Sequence, residues 1–587
     1  MMVLGVNCGH DSSCALVQDG IVIADVQEER FSRIKHAYGV PLSAIEFCLR
    51  LGGLSDLSQV DLLALGGIDT SFEFRAYLGV DSAHEGGAQR TRRSFLKPPL
   101  YLAPHAQVPA EKIISIEHHQ AHAASAHFTR SSPDACLVFT LDGAGDRVST
   151  MVWRSEGNTL EPLAKYGTEA SFGWGYSAVT EALGWWHGDS EGKTMGLAAY
   201  GDSSRCKGLL DEFFPAFDGT NLVRSSILRN PFHWPLNGAM HWHFDEAYRI
   251  RELCARYGRE NVAAEAQRKL EECVGEFVYS WLQKVDLRRA AFAGGVFLNV
   301  KLNQALWARR GRTLVEQHVF PNSGDAGLAL GSAMHVYHDR SSHPFRGCNM
   351  KDLFWGPEYL TADIEQLLKR RSLEYVLVQD PSVTAAKLLA KGLIVGRFSG
   401  RMESGPRGLG NRSILMSPQH AKNKDTLNGL VKFRESFRPF CPSMLWDMRD
   451  RYLIDSRDEF FMITAFHVTE AAKDKMPAVI HVDGTARPQL VKREHNEGFW
   501  RLIEEFGRIT GVYAVLNTSL NIKGEPIINT PNEALRCFFD TGMDALFMED
   551  ILMIKSEKNK TMIDVLEDAS SSSVAMQAGL KKSNDSR

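Results

Sequence analysis

The chain has 587 residues, room for roughly two to four domains of ordinary size. With 44% hydrophobic and 24% charged residues it reads as a globular protein, and no apolar run approaches the roughly 18 residues that a spanning helix needs. The net charge of −4 argues against nucleic acid or an anionic membrane as partner, and ten cysteines without a C-x-x-C pair predict free thiols in a reducing cytosol, hence a cytoplasmic protein.

In chain order, residues 3–6 predict a buried strand rather than a targeting segment. A polar turn at 7–13, which carries His10, leads to strands at 14–17 and 21–24. Gln18-Asp19-Gly20 joins them, a clear hairpin signal. Strand, polar turn, strand, Asp-Gly, strand is how a nucleotide-binding half of the actin, sugar-kinase and Hsp70 type opens, and the turn's N–H groups can face phosphate. The charged stretch 28–32 reads as a solvated face and 41–52 as an amphipathic helix. Residues 69–111 read as polar, irregular chain. They form a surface loop or, with Arg90, Arg92, Arg93 and Lys97 close together, a substrate lid.

Residues 112–116 predict a short strand and the alanine-rich run after it a helix. His118 and His122 stand four apart, on one helical face, and can share a metal ion. His119 projects about 100° away and His127 roughly opposite, so both read as packing or supporting residues. A strand at 135–141 ends in Asp142-Gly143, which puts a carboxylate at a sheet's carboxyl edge, where α/β folds bind ligands. Residues 191–197, with Lys193 between glycines, predict a loop without the Walker spacing. Residues 215–245, rich in Trp, Phe and His, predict an insertion near a pocket.

After a long amphipathic helix at 262–284, a strand at 290–293 runs into Gly294-Gly295 and on to Asn299. Such a strand–GG–helix passage lets phosphate or ribose approach the backbone, which marks these three residues as nucleotide-binding candidates. Asp325 stands in a turn before a small-residue helix at 328–334 and is the candidate third metal ligand. Two imidazoles and a carboxylate leave open positions for water or substrate. The alternative for Asp325 is a helix N-cap.

A polar break places a domain boundary near residue 350, dividing the chain into 1–350, 351–568 and a serine-rich tail, 569–587, that predicts disorder. No internal repeat is visible. In the second half, basic groups alternate with turn residues and hydroxyls. They run through Gly405-Pro406-Arg407-Gly408-Leu409-Gly410-Asn411-Arg412-Ser413, then 432–440, Asp483–Arg487 and Leu516–Asn521. This suits a polyanionic small molecule such as a nucleotide plus an acyl phosphate, against the alternative of ordinary surface salt bridging.

Four motifs together are specific: His118-His119-x-x-His122-Ala123, Gly405-Pro406-Arg407-x-Leu409-Gly410-x-Arg412-Ser413, Arg438-Pro439-Phe440-x-Pro442-Ser443-Met444 and Asn517-Thr518-Ser519-x-Asn521. On them the chain, to about residue 558, resembles the NodU/CmcH-type O-carbamoyltransferases. The resemblance implies an α/β protein with a Kae1-like N-terminal domain of the actin/Hsp70 (ASKHA) class and a YrdC-like C-terminal domain. It implies that the second domain makes carbamoyl-adenylate from carbamoyl phosphate and ATP with Mg2+. The first then transfers the carbamoyl group to a hydroxyl of a small natural product, as in antibiotic biosynthesis. By residue, it implies a metal, usually Fe2+, on His118, His122 and Asp325. Carbamoyl phosphate and ATP fall on Arg407, Lys432, Arg438, Arg487, Ser519 and Asn521, and His10 lies beside the adenylate. Segments 69–111 and 205–245 lie outside it and are left for acceptor choice.

Either His10 or Asp142 would take the acceptor's proton, and the sequence leaves both open. The expected partners are carbamoyl phosphate, ATP and an alcohol, with no nucleic acid and no membrane, in a monomer or homodimer. Two other classes share these features: a threonylcarbamoyl-type tRNA modification enzyme, which the charge disfavours, and a non-catalytic ATP-binding protein of the Hsp70/actin class, for which the paired histidines would be idle.

Overall fold

The computed structural model describes residues 1–77, 108–226, 244–345 and 350–555. In the first sheet β1 (Met2–Asn7), β2 (Ser13–Gln18) and β3 (Ile21–Gln27) are antiparallel neighbours, while β4 (Leu62–Gly66) and β5 (Ile113–Ile116) extend β1 in parallel. The order is β3-β2-β1-β4-β5. The β2–β3 hairpin turns at Asp19 and Gly20, both at positive φ (51° and 80°), as an Asp-Gly hairpin favours.

The plan then recurs. β6 (Cys136–Gly145), β7 (Val148–Glu156) and β8 (Thr159–Gly167) are antiparallel neighbours. A small ladder follows, β9 (Ala216–Asp218) with β10 (Asn221–Arg224). β11 (Arg289–Ala293) and β12 (Glu316–Val319) then extend β6 in parallel, to give β12-β11-β6-β7-β8. The sequence shows no repeat, yet the topology is duplicated. This is the doubled sheet of the actin/Hsp70 (ASKHA) class.

Two helices lie back to back between the sheets. His118–Phe128 follows β5 and packs on the second sheet; Leu328–Arg340 follows β12 and packs on the first. They approach closely because Gly331 has no side chain, and a Cβ there would collide with the Ala121 carbonyl. Each helix starts at the carboxyl end of a parallel strand, which is what brings their N-termini together.

The second half is an α/β unit on one mixed sheet of eight strands. These are β13 (Val376–Leu377), β14 (Val395–Phe398), β15 (Arg412–Met416), β16 (Cys441–Leu445), β19 (Gln489–Val491), β20 (Ala514–Ser519), β21 (Ala545–Met548) and β22 (Ile551–Ile554). Their order is β13-β22-β21-β14-β15-β20-β16-β19, and β17 (Phe466–His467) pairs separately with β18 (Thr485–Ala486). The Glu497–Thr510 helix shows how its sequence sets it: Asn496 caps the start, Phe499, Leu502, Ile503 and Phe506 line the buried face, and Gly511 ends it at φ 76°. The core of the first half reaches Trp355 and takes in Leu409, Cys441 and residues 461–463 from the second half, so apolar packing continues across the seam.

Three expectations change. Residues 28–32 are not a solvated face. Glu29 and Arg30 are buried as an ion pair at 3.0 Å, Arg30 donates to the Gly405 carbonyl at 2.7 Å, and Arg33 donates to the carbonyls of Ile527 and Pro526 at 2.8 and 2.9 Å. Their charges face carbonyl groups more than 370 residues away in sequence, which a local window cannot see. Residues 191–197 are no loop; Glu191–Ala198 is a helix packed on the long Arg259–Val285 helix, and packing overrides the low helix propensity of Gly192 and Gly196. Part of 69–111 is also helical (Ile68–Tyr77), with Ile68 and Asp69 N–H groups capped at 2.8 Å by the Asp146 carboxylate from another sheet. The Arg90–Lys97 cluster lies outside the described residues, as do 227–243 of the aromatic insertion and the 569–587 tail. The strand predicted at 14–17 and its neighbours form as expected, but the repeat that organises them was not legible.

Candidate active site

His118 and His122 start the helix after β5. Glu117 caps it by accepting from Gln120 N–H at 2.8 Å, and Asp146 holds the His118 N–H at 2.8 Å. Asp146 thereby ties the starts of two helices to the end of β6. The His118 and His122 Nε2 atoms lie 3.1 Å apart. Asp142, at the end of β6, brings Oδ2 to 3.1 Å from His122 Nε2 and 3.5 Å from His118 Nε2. Asp325, before the other central helix, brings Oδ1 to 3.5 and 3.7 Å from the same atoms. Asp325 is not an N-cap: the short turn it opens has no side-chain cap, and its carboxylate faces the histidines.

These four donors fit a metal ion. Donors about 2.0–2.2 Å from one ion stand about 3.0–3.5 Å from one another, close to the spacing found. The set of two imidazoles and two carboxylates suits a borderline divalent cation such as Fe2+ or Zn2+. Electrostatics agree. Burial pushes His118 down, but Asp325 and Asp142 raise it to about 9; His122 is raised by the same carboxylates against its burial. Burial opposes ionisation of Asp142, and the two histidines hold it well below the usual carboxylate range. A site this negative without bound cation recruits protons; a metal would replace them.

Two glycine positions make room for the site. A Cβ at Gly145 would run into the His118 ring, and one at Gly294 (φ 99°) into the Leu141 carbonyl. Gly295 lies against Asp142 Oδ1, 3.2 Å from where its Cβ would be. So Gly294-Gly295 wraps the end of β6 and seats Asp142. Asn299 is spent in the fold: it caps the Val300–Ala308 helix and exchanges hydrogen bonds with Gln267 at 2.9 and 3.0 Å. His119 and His127 point elsewhere, to Thr140 and Val148 O and to Gly157 O.

His10 lies on the β1–β2 turn. Asn7 donates to the His10 carbonyl at 3.1 Å and to the Asp325 carbonyl at 3.0 Å, so one side chain links that turn to the metal-type cluster. His10 Nδ1 is 3.0 Å from Asp11, and its ring is about half exposed.

The second half supplies a cationic pocket. Arg407 is half-buried, its buried Nε has no hydrogen-bond partner, and its pKa falls to about 9 through loss of solvation and the neighbouring Arg487 and Arg438. Arg434 is lowered to about 9 by burial and Arg438. Arg487 donates to Cys441 Sγ at 2.8 and 3.0 Å, and the carboxylate paired with Arg438 is Glu435, 3.9 Å away. Lys432 ends a π-helical turn, Asn428–Lys432, ahead of Phe433 at φ 46°. Its three N–H donors are all used, on Ser519 O (2.5 Å), Asn521 O (3.0 Å) and Asn521 Oδ1 (2.7 Å). Here Lys432 braces the Ser519–Asn521 loop and lends charge; Ser519 Oγ joins by donating to Asn521 Oδ1 at 2.8 Å. Guanidinium groups packed together with so little negative charge are a binding site for an anion.

Sequence reasoning missed Asp142 as a fourth donor, having given it only a proton-transfer role. It also missed Arg434, Asp146, His36 and Asp189. The Asp-Gly at the end of β6 was the available signal for Asp142; the others had none outside the fold.

The carbamoyltransferase N-terminus model matches residues 2–334 and the carbamoyltransferase C-terminus model residues 386–555. The doubled ASKHA-type sheet with a His/Asp centre, joined to an α/β unit with a cationic pocket, is thus the frame of a group-transfer enzyme. The chain belongs to the carbamoyltransferase family and is a carbamoyltransferase, acting on a carbamoyl donor and an acceptor. Nodulation protein NolNO of Sinorhizobium fredii is 33% identical over 566 residues, 93% of this chain and 79% of that one. Nodulation protein U of Rhizobium tropici is 27% identical over 92% of this chain and 93% of that one. The 3'-hydroxymethylcephem-O-carbamoyltransferase of Streptomyces clavuligerus is 26% identical over 91% and 96%. The crystal structure of full-length HypF in its phosphate- and nucleotide-bound form overlaps 58% of this chain and 56% of that one, with a TM-score of 0.30 and 12% identity, a partial and distant likeness. Among the described residues no helix is long and apolar enough to cross a membrane.

Proposed function

We propose that this enzyme is an ATP-dependent O-carbamoyltransferase of two coupled steps. Its C-terminal half, residues 351–568, forms carbamoyl-adenylate from carbamoyl phosphate and ATP; its N-terminal half, 1–350, passes the carbamoyl group to a hydroxyl of a small natural product. The observation that carries this reading is the half-buried, carboxylate-poor cluster of Arg407, Arg434, Arg438 and Arg487, joined across a packed seam to the His118/His122/Asp142/Asp325 centre. The relative named as an O-carbamoyltransferase supports the acceptor being a hydroxyl.

A carbamoyl carbon is a poor electrophile because its nitrogen donates into it. Linking it to AMP keeps an activated anhydride and adds an adenosine that binding energy can hold. Per carbamate ester the balance is one phosphate, one pyrophosphate and one AMP released, with one water consumed. Arg407, Arg438 and Arg487 would neutralise phosphate charge, while Lys432 keeps the Ser519–Asn521 loop in place. Gly294 and Gly295 leave backbone accessible to the adenylate beside Asp142.

His118, His122, Asp142 and Asp325 would hold Fe2+ or a similar ion, which when bound supplies Lewis-acid polarisation. Because Asp142 is committed to the two histidines and to the Gly143 N–H at 2.6 Å, the proton of the acceptor falls to His10. Asp11 takes its Nδ1, which leaves Nε2 as the open nitrogen. The experiment is incubation with ATP, labelled carbamoyl phosphate and a panel of aminoglycoside, macrolactam, β-lactam and alkaloid alcohols. Carbamate ester with matching pyrophosphate and AMP is expected. Ester formed without pyrophosphate would overturn the adenylate route.

A further inference from the structure

We propose that His36 is a positioning residue of the transfer site, clamped between Asp11 and Asp189 so that Asp11 fixes the ring of His10. This rests on the reading of His10 as the base. His36 Nδ1 lies 2.7 Å from Asp11 Oδ1, and its Nε2 lies 2.9 Å from Asp189 Oδ1. Ionised carboxylates only accept, so both ring nitrogens donate and His36 is an imidazolium. Asp11 is shared: its Oδ2 is 3.0 Å from His10 Nδ1. The two rings stack at 4.9 Å with 15° between their planes.

The backbone is built around this contact. Asp11 and His36 are both non-glycine residues at φ 55°, a left-handed conformation that persists only where its surroundings enforce it. They are enforced here. Ser12 N–H donates to Ala37 O at 2.9 Å, Gly39 N–H to Cys8 O at 3.0 Å, and His36 N–H to Glu29 Oε2 at 2.9 Å. His10, Asp11 and His36 also group closely enough to suggest a second metal site. Nearly parallel stacked rings argue against it, because an ion would have to lie in both ring planes at once.

The charged and titratable groups facing His36 are Asp11, Asp189 and His10, with Lys35 paired to Asp189 and Glu29 at the backbone. Burial pushes His36 down, but Asp11 and Asp189 raise it to about 10, consistent with permanent charge. Such a cation shares the Asp11 carboxylate with His10, so Asp11 orients His10 and raises it while the His36 charge opposes that rise. Asp189 belongs to the loop in which Trp185 packs on Phe437, next to Arg438. The clamp therefore ties the transfer turn to the wall of the cationic pocket.

The test uses full-length enzyme and two half-reactions that need no identified acceptor. Pyrophosphate release from ATP and carbamoyl phosphate reads the first; AMP release from supplied carbamoyl-adenylate in excess of the rate without enzyme, with water as acceptor, reads the second. His36→Gln should leave pyrophosphate release within about twofold and lower AMP release at least tenfold. His36→Lys, which keeps the charge, should recover part of the loss. In wild type at neutral pH, diethyl pyrocarbonate should modify His10 and spare His36, read by peptide mass. Equal loss in both half-reactions, no loss in either, no recovery by His36→Lys, or a reactive wild-type His36 would overturn the inference. His10→Gln separates the two readings. Full AMP release by that variant overturns the base reading and this inference with it; loss there with none in His36→Gln overturns the inference alone.

Discussion

The Ser404 hydroxyl donates to the buried carboxyl of Asp25, across 379 residues of chain. Asn322 donates to the same hydroxyl at 3.4 Å. Asn322 stands three residues before Asp325 and Ser404 three before Arg407, so one hydrogen-bonded trio lies between the metal-type centre and the cationic pocket.

This trio gives the stability a pH dependence. Burial raises Asp25 from 3.8 to about 7, opposed by Ser404 and Asn322. Between those values the folded protein holds a proton that the unfolded chain has lost, so stability falls as pH rises, by at most about 1.4 kcal/mol per pH unit, and levels off above 7. Asp25→Asn keeps an acceptor for Ser404 and removes the charge. It should melt higher than wild type at pH 8 and equally at pH 4. Parallel melting profiles across that range would rule this out.

Removing the paired imidazoles should remove the metal. His118→Ala with His122→Ala should abolish stoichiometric divalent metal and carbamoyl transfer while the circular dichroism spectrum stays intact. Elemental analysis is the measurement, and wild-type metal content in the double variant would refute the ligand assignment.

Gly145→Ala adds one methyl group against the His118 ring. Overpacking of this kind costs about 1–3 kcal/mol, and here the ring that must yield is a proposed ligand. Weaker metal retention during dialysis is expected, with a modest drop in melting temperature. An unchanged metal affinity would show that His118 does not bind in this rotamer.

Arg487→Ala should block adenylate formation by roughly 100-fold or more, since it would delete the charge-assisted phosphate contact proposed for this residue. It should still transfer from carbamoyl-adenylate supplied directly. Equal failure with the supplied intermediate would mean that the two steps do not divide between the halves as proposed.

Carbamoyl-adenylate is an anhydride that bulk water would destroy, so an enclosed passage between the halves matters. Contacts across the seam hold the halves together: Arg30 to Gly405 O, Arg310 to Asp455 at 2.7 Å, and Asn303 to Ile463 O at 2.6 Å. A His122→Ala enzyme, able only to make the intermediate, mixed with excess Arg487→Ala enzyme, able only to use it, should give little product. Product near the wild-type rate would mean free diffusion.

Much of this was legible in the sequence for a physical reason. His118 and His122 are coupled by helical spacing alone, and Asp19-Gly20 by its turn chemistry, so local reading suffices. Asp142 was visible as a strand-end carboxylate, but its direction toward the histidines depends on Gly145 and Gly294-Gly295 letting three strands and two helices crowd together. The helix at Ile68–Tyr77 was missed because its cap, Asp146, comes from elsewhere in the chain. Glu29 and Arg30 were misread because a charge that faces a buried partner or a distant carbonyl has the same local pattern as one that faces water. The duplicated sheet escaped because equal strand order does not require similar residues.

Arg33 also sets a timetable for synthesis. Its acceptors on Pro526 and Ile527 lie more than 490 residues downstream. At typical rates of elongation the ribosome reaches them roughly 25–100 s after Arg33 is made. Through that interval the first sheet can form, but Glu29, Arg30 and Arg33 stay exposed as a charged flap. The amino-terminal strand hairpin is thus among the first parts of the chain to be made and among the last to be fastened.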